Sequence, residues 1–149
     1  MKIERVKPSI GFYLAGFTDG EGSFNVSQKD GEVILSLFKK TLNCGSIGNR
    51  GDGIWYYQVD NFSSILENVI PFFDKYGFLS SKKKNDFSKF KKISSIIKNG
   101  FHLKKEGIID ILKIRDLMNY GGKRKYSNDF ILNTIEKSSE TIRQAAEVE

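Results

Sequence analysis

The first strong feature of the hydrophobic pattern is an apolar run that follows Pro8. Pro8 and Ser9 predict the start of a helix with Ser9 as its N-cap, and the helix extends over residues 10–19. Apolar side chains occupy nearly every side of this helix, which is typical of an element buried on all sides. Small residues recur along it at a spacing that lets another backbone come close: Gly11, Ala15, Gly16 and Gly20.

Alternation of apolar and polar residues predicts three strands. These strands cover residues 23–29, 46–50 and 54–60, and the last two flank a glycine-bearing hairpin turn at residues 51–53. On the third strand, the residues expected to face the core are Trp55, Tyr57 and Val59. The residues left on the outer face are Ile54, Tyr56 and Gln58.

The remaining segments have a helical period. The helix over residues 31–43, capped by Asp30, has the apolar stripe Val33, Ile34, Leu37, Phe38 and Leu42. The next helix begins at Asn61 or Ser63 and is broken at Pro71, after which a short continuation runs from residue 72 to residues 76–77. Later helices are predicted from Ser80 or Ser81 to an end at residues 99–100, over residues 104–119 and over residues 127–146. The pattern therefore predicts an α+β chain with a compact domain over residues 1–122 and a basic linker and helix over residues 123–149.

Charge changes this picture, because it is unevenly distributed. The 149 residues have a net charge of +6, yet residues 82–125 alone contain fourteen basic and four acidic side chains. Such a cluster is typical of a protein that binds a polyanion, with nucleic acid as the first candidate. The alternative is a solvated helix face, and charge alone leaves both open.

Composition excludes several kinds of chemistry. A single cysteine, Cys44, excludes a disulfide framework and a cysteine-based zinc site, and a single histidine, His102, excludes a HExxH metalloenzyme. No apolar run approaches the ~18 residues of a membrane span, and the N-terminus has no apolar signal region. We therefore expect an intracellular protein that is neither secreted nor bound to a membrane.

Residues 14–22 have the sequence LAGFTDGEG. This stretch resembles the signature of the LAGLIDADG homing endonucleases, and the resemblance extends over residues 9–119, including residues 44–47, 50–53, 70–76 and 82–87. It implies an antiparallel saddle-shaped sheet backed by helices, with the motif helix at a dimer interface formed by Gly11, Ala15 and Gly16. It also implies a homodimer that cleaves both strands of a long, roughly palindromic double-stranded DNA site during intron homing.

The residues independently favour metal-assisted hydrolysis. With no histidine or cysteine cluster, a divalent metal held by carboxylates is the natural route to phosphodiester hydrolysis, and hard oxygen ligands suit Mg²⁺. Glu21 lies just past a helix C-terminus, where the helix dipole favours a cation. One carboxylate is too few for a robust site, but a second copy of the chain would supply another. The resemblance implies that Glu21 binds the metal, that the carbonyl of Gly20 is a further ligand, and that Asp19 caps or braces the helix end.

Two further catalytic residues follow from the resemblance. Gln28 matches a strand-end glutamine that orients water, although a solvent-exposed strand cap is an equal alternative. Lys83 best matches a lysine near the scissile phosphate, and the neighbouring Lys82 and Lys84 leave that register open.

Base recognition is expected from the sheet, because antiparallel strands fit the major groove and offer every second side chain to the bases. Arg50 is the strongest single candidate, since arginine to guanine is the commonest specific contact. The other candidates for base contact are Ser23, Asn25, Ser27, Ser46, Gly48, Tyr56 and Gln58. The basic residues expected to bind phosphate are Lys123, Arg124 and Lys125.

The resemblance is imperfect in one segment. Residues 23–29 at ~3.3 Å each span only ~23 Å, which is one strand without a turn. The family has two strands between the motif and the next helix, so the comparison implies a missing hairpin near residues 23–28.

Two other functions of the same fold remain open. One is an RNA-binding intron maturase, with intron RNA as the partner, and the other is a DNA-binding regulator that does not cleave. The host compartment is an organelle (mitochondrion or chloroplast) or a prokaryotic cytoplasm.

Overall fold

The computed structural model describes residues 5–20, 26–29, 32–118 and 125–146. The strands are β1 (Val26–Lys29), β2 (Ser46–Asn49) and β3 (Ile54–Gln58). The helices are α1 (Pro8–Gly20), α2 (Glu32–Leu42), α3 (Phe62–Ser64), α4 (Ile70–Tyr76), α5 (Ser81–Lys98), α6 (Lys105–Asp116) and α7 (Asn128–Ala146). This confirms the α+β class. The chain divides into two compact units between Ser88 and Lys89, and the predicted division at residue 122 stays a prediction.

Helix α1 begins one residue earlier than its predicted cap. Pro8 is its first residue, because a proline lacks the N–H that an N-terminal position would leave without a helical partner. The Lys7 carbonyl accepts hydrogen bonds from Ile10 N at 3.0 Å and Gly11 N at 3.1 Å. The prediction that Ser9 is the N-cap is therefore wrong, since Ser9 lies inside the first turn.

Only one face of α1 is buried within the chain. Leu14, Ala15 and Thr18 are buried, and the Thr18 hydroxyl donates to the Leu14 carbonyl at 3.0 Å. On the other side, Phe12 is 59% exposed and Tyr13 is 52% exposed. The expectation of burial on every side is therefore wrong for the single chain.

The three strands form an antiparallel sheet in the order β1-β3-β2. The hairpin between β2 and β3 turns through Gly51 and Gly53, whose φ angles of +84° and +80° favour glycine. Its closing bond runs from Arg50 N to the Ile54 carbonyl at 3.0 Å. The predicted hairpin is confirmed.

Helix α2 packs its apolar stripe against the inner face of the sheet. Phe38 is 1% exposed and stacks on the buried ring of Tyr57 at 5.8 Å between centroids. This confirms Tyr57 as a core residue. Burial raises the pKa of Tyr57 well above its usual range, and contact with Cys44 adds to this; its hydroxyl donates to the Cys44 carbonyl at 2.9 Å. The predicted stripe of α2 is wrong at Val33, which is 82% exposed, because the buried positions follow the i, i+3, i+7 row that begins at Leu35.

The region after the sheet stays helical through the proline. Asn61 caps α3 by accepting a hydrogen bond from Ser64 N at 2.9 Å, as one of the two predicted caps. A π-helical turn, Ile65–Val69, joins α3 to α4, and Pro71 lies at the start of α4. The predicted break at Pro71 is a change of helix type rather than a gap, since a π turn directly precedes α4, and the predicted continuation to residues 76–77 is confirmed.

Aromatic side chains fill the core beside α4. Phe72, Phe73 and Tyr76 are buried, and Phe73 stacks on Phe78 at 4.8 Å. Phe87, from the first half of α5, packs edge-on against Phe78 at 5.5 Å. This aromatic cluster fixes the turn between α4 and α5.

The second unit contains the end of α5, a 3₁₀ turn at Phe101–Leu103, α6 and α7. Gly107 of α6 approaches the turn so closely that a Cβ there would lie 2.0 Å from the Phe101 carbonyl oxygen. Arg115 Nη2 donates to Asn128 Oδ1 at 2.8 Å, which ties α6 to α7. Among the described helices, none is long and apolar enough to cross a membrane.

Two glycines of α1 predict opposite effects of the same substitution. A Cβ at Gly11 would lie 2.2 Å from the Tyr76 ring, whereas a Cβ at Gly16 would meet no atom within 4 Å. The Tyr76 ring cannot easily move, because it is buried and its hydroxyl donates to the Val6 carbonyl at 3.1 Å.

We expect Gly11→Ala to lower the free energy of unfolding by about 1–3 kcal/mol through overpacking. Gly16→Ala should raise it by about 0.5–1 kcal/mol, since alanine favours helix interiors. Urea denaturation at concentrations where the chain is monomeric measures both. Equal effects of the two substitutions would contradict this packing.

Candidate functional site

The end of α1 is anchored by the carboxylate of Asp19. Its Oδ2 accepts hydrogen bonds from Leu79 N and Ser80 N, each at 2.8 Å, and its Oδ1 accepts one from the Ser80 hydroxyl. Ser80 directly precedes α5, so one side chain ties the end of α1 to the start of α5. This confirms the expectation that Asp19 braces the helix end.

The electrostatics of this junction favour a charged carboxylate. Burial alone would raise the pKa of Asp19, but the bonds from Ser80 and Leu79 and the positive charge of Lys83 outweigh it. The net result is a lowered pKa. Asp19 is therefore an ionised brace at neutral pH.

Lys83 differs from the two lysines beside it. Lys83 is 4% exposed, whereas Lys82 and Lys84 are exposed. The Ser80 hydroxyl oxygen accepts a hydrogen bond from Lys83 N at 3.2 Å, as an N-cap of α5 does. Lys82, Lys83 and Lys84 are the three candidates for the lysine near the scissile phosphate. Of these, Lys83 is the one whose side chain is buried, beside the Asp19 junction.

The predicted metal site lies mostly outside the described residues. Gly20 is the last residue of α1, while Glu21, Ser23 and Asn25 are not among the residues described. Within the described part of the chain, no group of three or more His, Cys, Asp or Glu side chains comes together. Both Asp19 oxygens accept hydrogen bonds, which fits the role of a brace.

The outer face of the sheet brings several predicted base-reading residues together. Tyr56 lies opposite Gly48 on β2, and its ring covers that glycine so closely that a Cβ there would be 2.4 Å from the ring. The Arg50 guanidinium lies 5.8 Å from the centre of the same ring, at cation–π distance. The absence of a side chain at Gly48 thus leaves room for the Tyr56 ring. That ring in turn contacts the Arg50 guanidinium.

The next row of this face is polar. Ser46 lies opposite Gln58, and both are exposed. Gln58 Nε2 donates to Asp60 Oδ2 at 2.7 Å, which fixes the orientation of its amide. That Asp60 orients Gln58 was not predicted from the sequence. Its position two residues after Gln58, at the end of the predicted strand, could have indicated this contact.

Two more of the predicted site residues, Ser27 and Gln28, lie on strand β1. Ser27 lies opposite Tyr56, in the row that contains Gly48, whereas Gln28 lies opposite Trp55 in the neighbouring row. Consecutive strand residues alternate between faces, so Ser27 and Gln28 belong to opposite faces of the sheet. Of the basic tail, Lys123 and Arg124 lie outside the described residues, and Lys125 is exposed beside Tyr126, 5.3 Å from its ring centre.

Two of the three predicted interface residues face the interior of their own chain. Gly11 contacts Tyr76, and Ala15 is 2% exposed. The chain itself therefore covers Gly11 and Ala15, and their predicted place in a dimer interface stays a prediction. Gly16 is exposed and shares the open face of α1 with Ser9, Phe12 and Tyr13.

Comparison with known proteins assigns a family. A model of the LAGLIDADG endonuclease family matches residues 26–94, which include β1, the hairpin and Lys83 but not the motif itself. The chain is 30% identical to a probable intron-encoded endonuclease 2 of Neurospora crassa, over an alignment that covers 73% of this chain and 27% of the relative. The chain belongs to the LAGLIDADG family.

Further relatives of this LAGLIDADG chain include the DNA endonuclease I-CeuI of Chlamydomonas moewusii, which is 28% identical over 71% of this chain and 61% of the relative. The chain spans only about a quarter to a third of the first curated relatives that it matches, with 27% and 36% covered. Most of the length of these relatives therefore lies outside their alignment with this chain.

Solved structures confirm the fold. The I-LtrWI LAGLIDADG homing endonuclease bound to target DNA has a TM-score of 0.70 and 28% identity, over 86% of this chain and 48% of that one. The homing endonuclease I-TnaI has a TM-score of 0.68 and 27% identity, over 89% of this chain and 97% of that one. The LAGLIDADG fold thus extends over most of the chain.

The Asp19 junction predicts a pH-dependent stability. A carboxylate with a lowered pKa stabilises the fold above its unfolded pKa of about 3.9, and the contribution is lost as pH falls through the folded value. We expect Asp19→Asn to lower the free energy of unfolding at pH 7 by about 1 kcal/mol, as for a lost capping side chain. The difference from the wild type should shrink below about pH 4, as measured by urea denaturation between pH 2.5 and 7.

Asp52 provides a matched control for this substitution. Its carboxylate accepts only a turn bond from Ile54 N at 3.0 Å, a position in which asparagine serves equally well. Asp52→Asn should leave stability nearly unchanged at every pH. A pH-independent loss for Asp19→Asn would contradict the role of its charge.

Proposed function

We propose that this chain is a subunit of a site-specific endonuclease that hydrolyses both strands of a long, roughly palindromic double-stranded DNA site. The observation that carries this proposal is the outer face of the sheet, where Arg50, Tyr56 and Gln58 occupy adjacent exposed or half-exposed positions. Two-stranded antiparallel ribbons fit the major groove, so this face can present its side chains to base edges. Membership of a family with DNA-bound structures supports the same substrate.

The face is organised for recognition before DNA arrives. The ring of Tyr56 lies beneath Arg50, and the amide of Gln58 is oriented by Asp60. Restricting these side chains lowers the conformational entropy that binding must otherwise remove. Arg50 and Gln58 match guanine and adenine edges, respectively.

Cleavage is proposed to occur at the end of α1. With Asp19 engaged by Leu79 and Ser80, the proposed ligands are the Gly20 carbonyl and the Glu21 carboxylate, the next two residues in the sequence. This set of hard oxygen donors fits Mg²⁺, which takes few protein ligands and keeps several waters. When bound, Mg²⁺ supplies charge compensation at the cleaved phosphate.

Two residues of the chain are proposed to assist the reaction. Lys83 is held beside the end of α1 by the Asp19 junction, and its ammonium would stabilise negative charge on the phosphate. Gln28, opposite Trp55, would orient water through its amide. Lys125 and the neighbouring basic residues of the tail, Lys123 and Arg124, would contact phosphates and add affinity without sequence preference.

A homodimer completes the proposed site. The open face of α1 contains Phe12 and Tyr13, each more than half exposed, and the bare backbone of Gly16. A second α1 packed on this face would bury both aromatic rings and deliver a second Glu21. Two such acids account for cleavage of both strands, and two-fold symmetry accounts for a palindromic site.

We also propose that the first hairpin is shortened relative to the family. The alignment to the Neurospora crassa relative extends over 124 residues while covering 73% of this 149-residue chain. Such an alignment includes positions that only the relative occupies. The intron-encoded relatives favour an organelle or prokaryotic host.

Intron RNA is the alternative ligand of the same fold. In the binding assays it competes with the duplex DNA.

Substitution of Glu21 tests the proposed cleavage site. Glu21→Gln keeps the shape of the side chain and removes its charge. Loss of a residue that only supports a metal ligand costs up to about 10²-fold in activity, so loss of the ligand itself should lower Mg²⁺-dependent cleavage by at least about 10²-fold. Binding of the same duplex without metal should be retained. The measurement is cleavage of a duplex that the wild-type chain selects from a randomised library.

Glu32→Gln is the matched control, because Glu32 is an exposed acid at the start of α2 in the same unit. It should cleave at the wild-type rate. Full activity of Glu21→Gln, or no cleavage of any duplex by the wild type, would overturn the proposal.

Substitution of Arg50 tests recognition separately. Arg50→Ala should cost about 1–3 kcal/mol of discrimination at one base pair of each half-site. Lys125→Ala should instead weaken binding to all duplexes alike and reduce the slope of affinity against salt by about one. Dissociation constants for duplexes with single base changes, at several salt concentrations, separate the two effects. A uniform loss for Arg50→Ala would contradict base reading.

A further inference from the structure

One hydroxyl links the acidic end of α1 to the backbone of Lys83. The Ser80 Oγ donates its only proton to Asp19 Oδ1 and accepts a hydrogen bond from Lys83 N at 3.2 Å. We propose that Ser80 is a positioning residue that sets the placement of Lys83 relative to the end of α1. This inference rests on the proposed function, in which Lys83 and Glu21 act on the same phosphate.

The link is short and has little freedom. Two covalent bonds separate the Ser80 Cα from its oxygen, and both functions of that oxygen are in use, one as donor and one as acceptor. Because Asp19 belongs to the last turn of α1, a shift of Ser80 changes the spacing between the end of α1 and Lys83. Reaction rates depend steeply on such spacing, and a misplacement of 1 Å can cost about 10²-fold.

The remaining contacts should preserve the fold when the hydroxyl is removed. In Ser80→Ala, the backbone N–H groups of Leu79 and Ser80 still donate to Asp19, and the aromatic contacts of Phe78 with Phe73 and Phe87 still hold the turn. The substitution therefore removes the link to Lys83 and one of the three hydrogen bonds to Asp19, while the two backbone bonds of the brace remain. This separates positioning from general stability.

Two variants sharpen the test. Ser80→Thr keeps the hydroxyl, and its added methyl group has room because Ser80 is exposed. Ser81→Ala removes a neighbouring hydroxyl at the first residue of α5, where serine is also exposed. The three variants thus differ in the presence and position of one hydroxyl group.

The experiment is single-turnover cleavage of the selected duplex with Mg²⁺, together with the dissociation constant of that duplex without metal. We expect Ser80→Ala to lower the cleavage rate by about 10- to 10²-fold, with a dissociation constant within twofold of the wild type. Ser80→Thr should restore the rate to within a few-fold, and Ser81→Ala should leave it unchanged. A wild-type rate for Ser80→Ala, an equal loss for Ser81→Ala, or a parallel loss of binding would overturn the inference.

Failure of the proposed function is distinguishable from failure of this inference. A wild-type chain that cleaves no duplex refutes the proposed function, and the link is then decided by NMR on the free chain. Ser80→Ala should shift the Lys83 amide and side-chain ammonium resonances and speed hydrogen exchange of that amide, while Ser81→Ala should not. Unchanged Lys83 signals in Ser80→Ala would overturn the inference without any reference to activity.

Discussion

The carboxylate of Asp19 accepts hydrogen bonds from the backbone of Leu79 and Ser80 and from the Ser80 hydroxyl, and so ties the end of α1 to the start of α5. Sixty residues separate these two chain segments. Because α1 ends at Gly20, this junction fixes the end of the motif helix. The same junction neighbours the buried Lys83, so the placement of that lysine depends on it.

Aromatic side chains of the core pack at two places: around the turn at this junction and on the inner face of the sheet. Phe73, Phe78 and Phe87 pack around the turn that precedes α5, and Phe38 of α2 stacks on Tyr57 at the inner face of the sheet. Around Tyr57 the inner face of the sheet is covered by α2, whereas Ser46 and Gln58 on the outer face are exposed. The proposed recognition therefore uses the sheet, and the proposed chemistry uses a helix end.

Local pattern predicted most elements because it is set by short-range physics. The alternation around residues 51–53 gave the hairpin, and the side chain of Asn61 gave a helix cap. Local pattern was insufficient where contacts from elsewhere in the chain decide burial. Tyr76 covers Gly11, and a π turn accommodates Pro71, neither of which a spacing rule contains.

The sequence by itself determined the α+β class, the basic second half and the acidic motif that carries the resemblance to the family, because composition, periodicity and short motifs are local properties of the chain. Only the tertiary structure decided which lysine turns inward, which face of α1 stays open, and that Ser80 joins Asp19 to Lys83. These features are contacts between residues far apart in the chain. Burial and hydrogen bonding of that kind exist only once the helices and strands have packed.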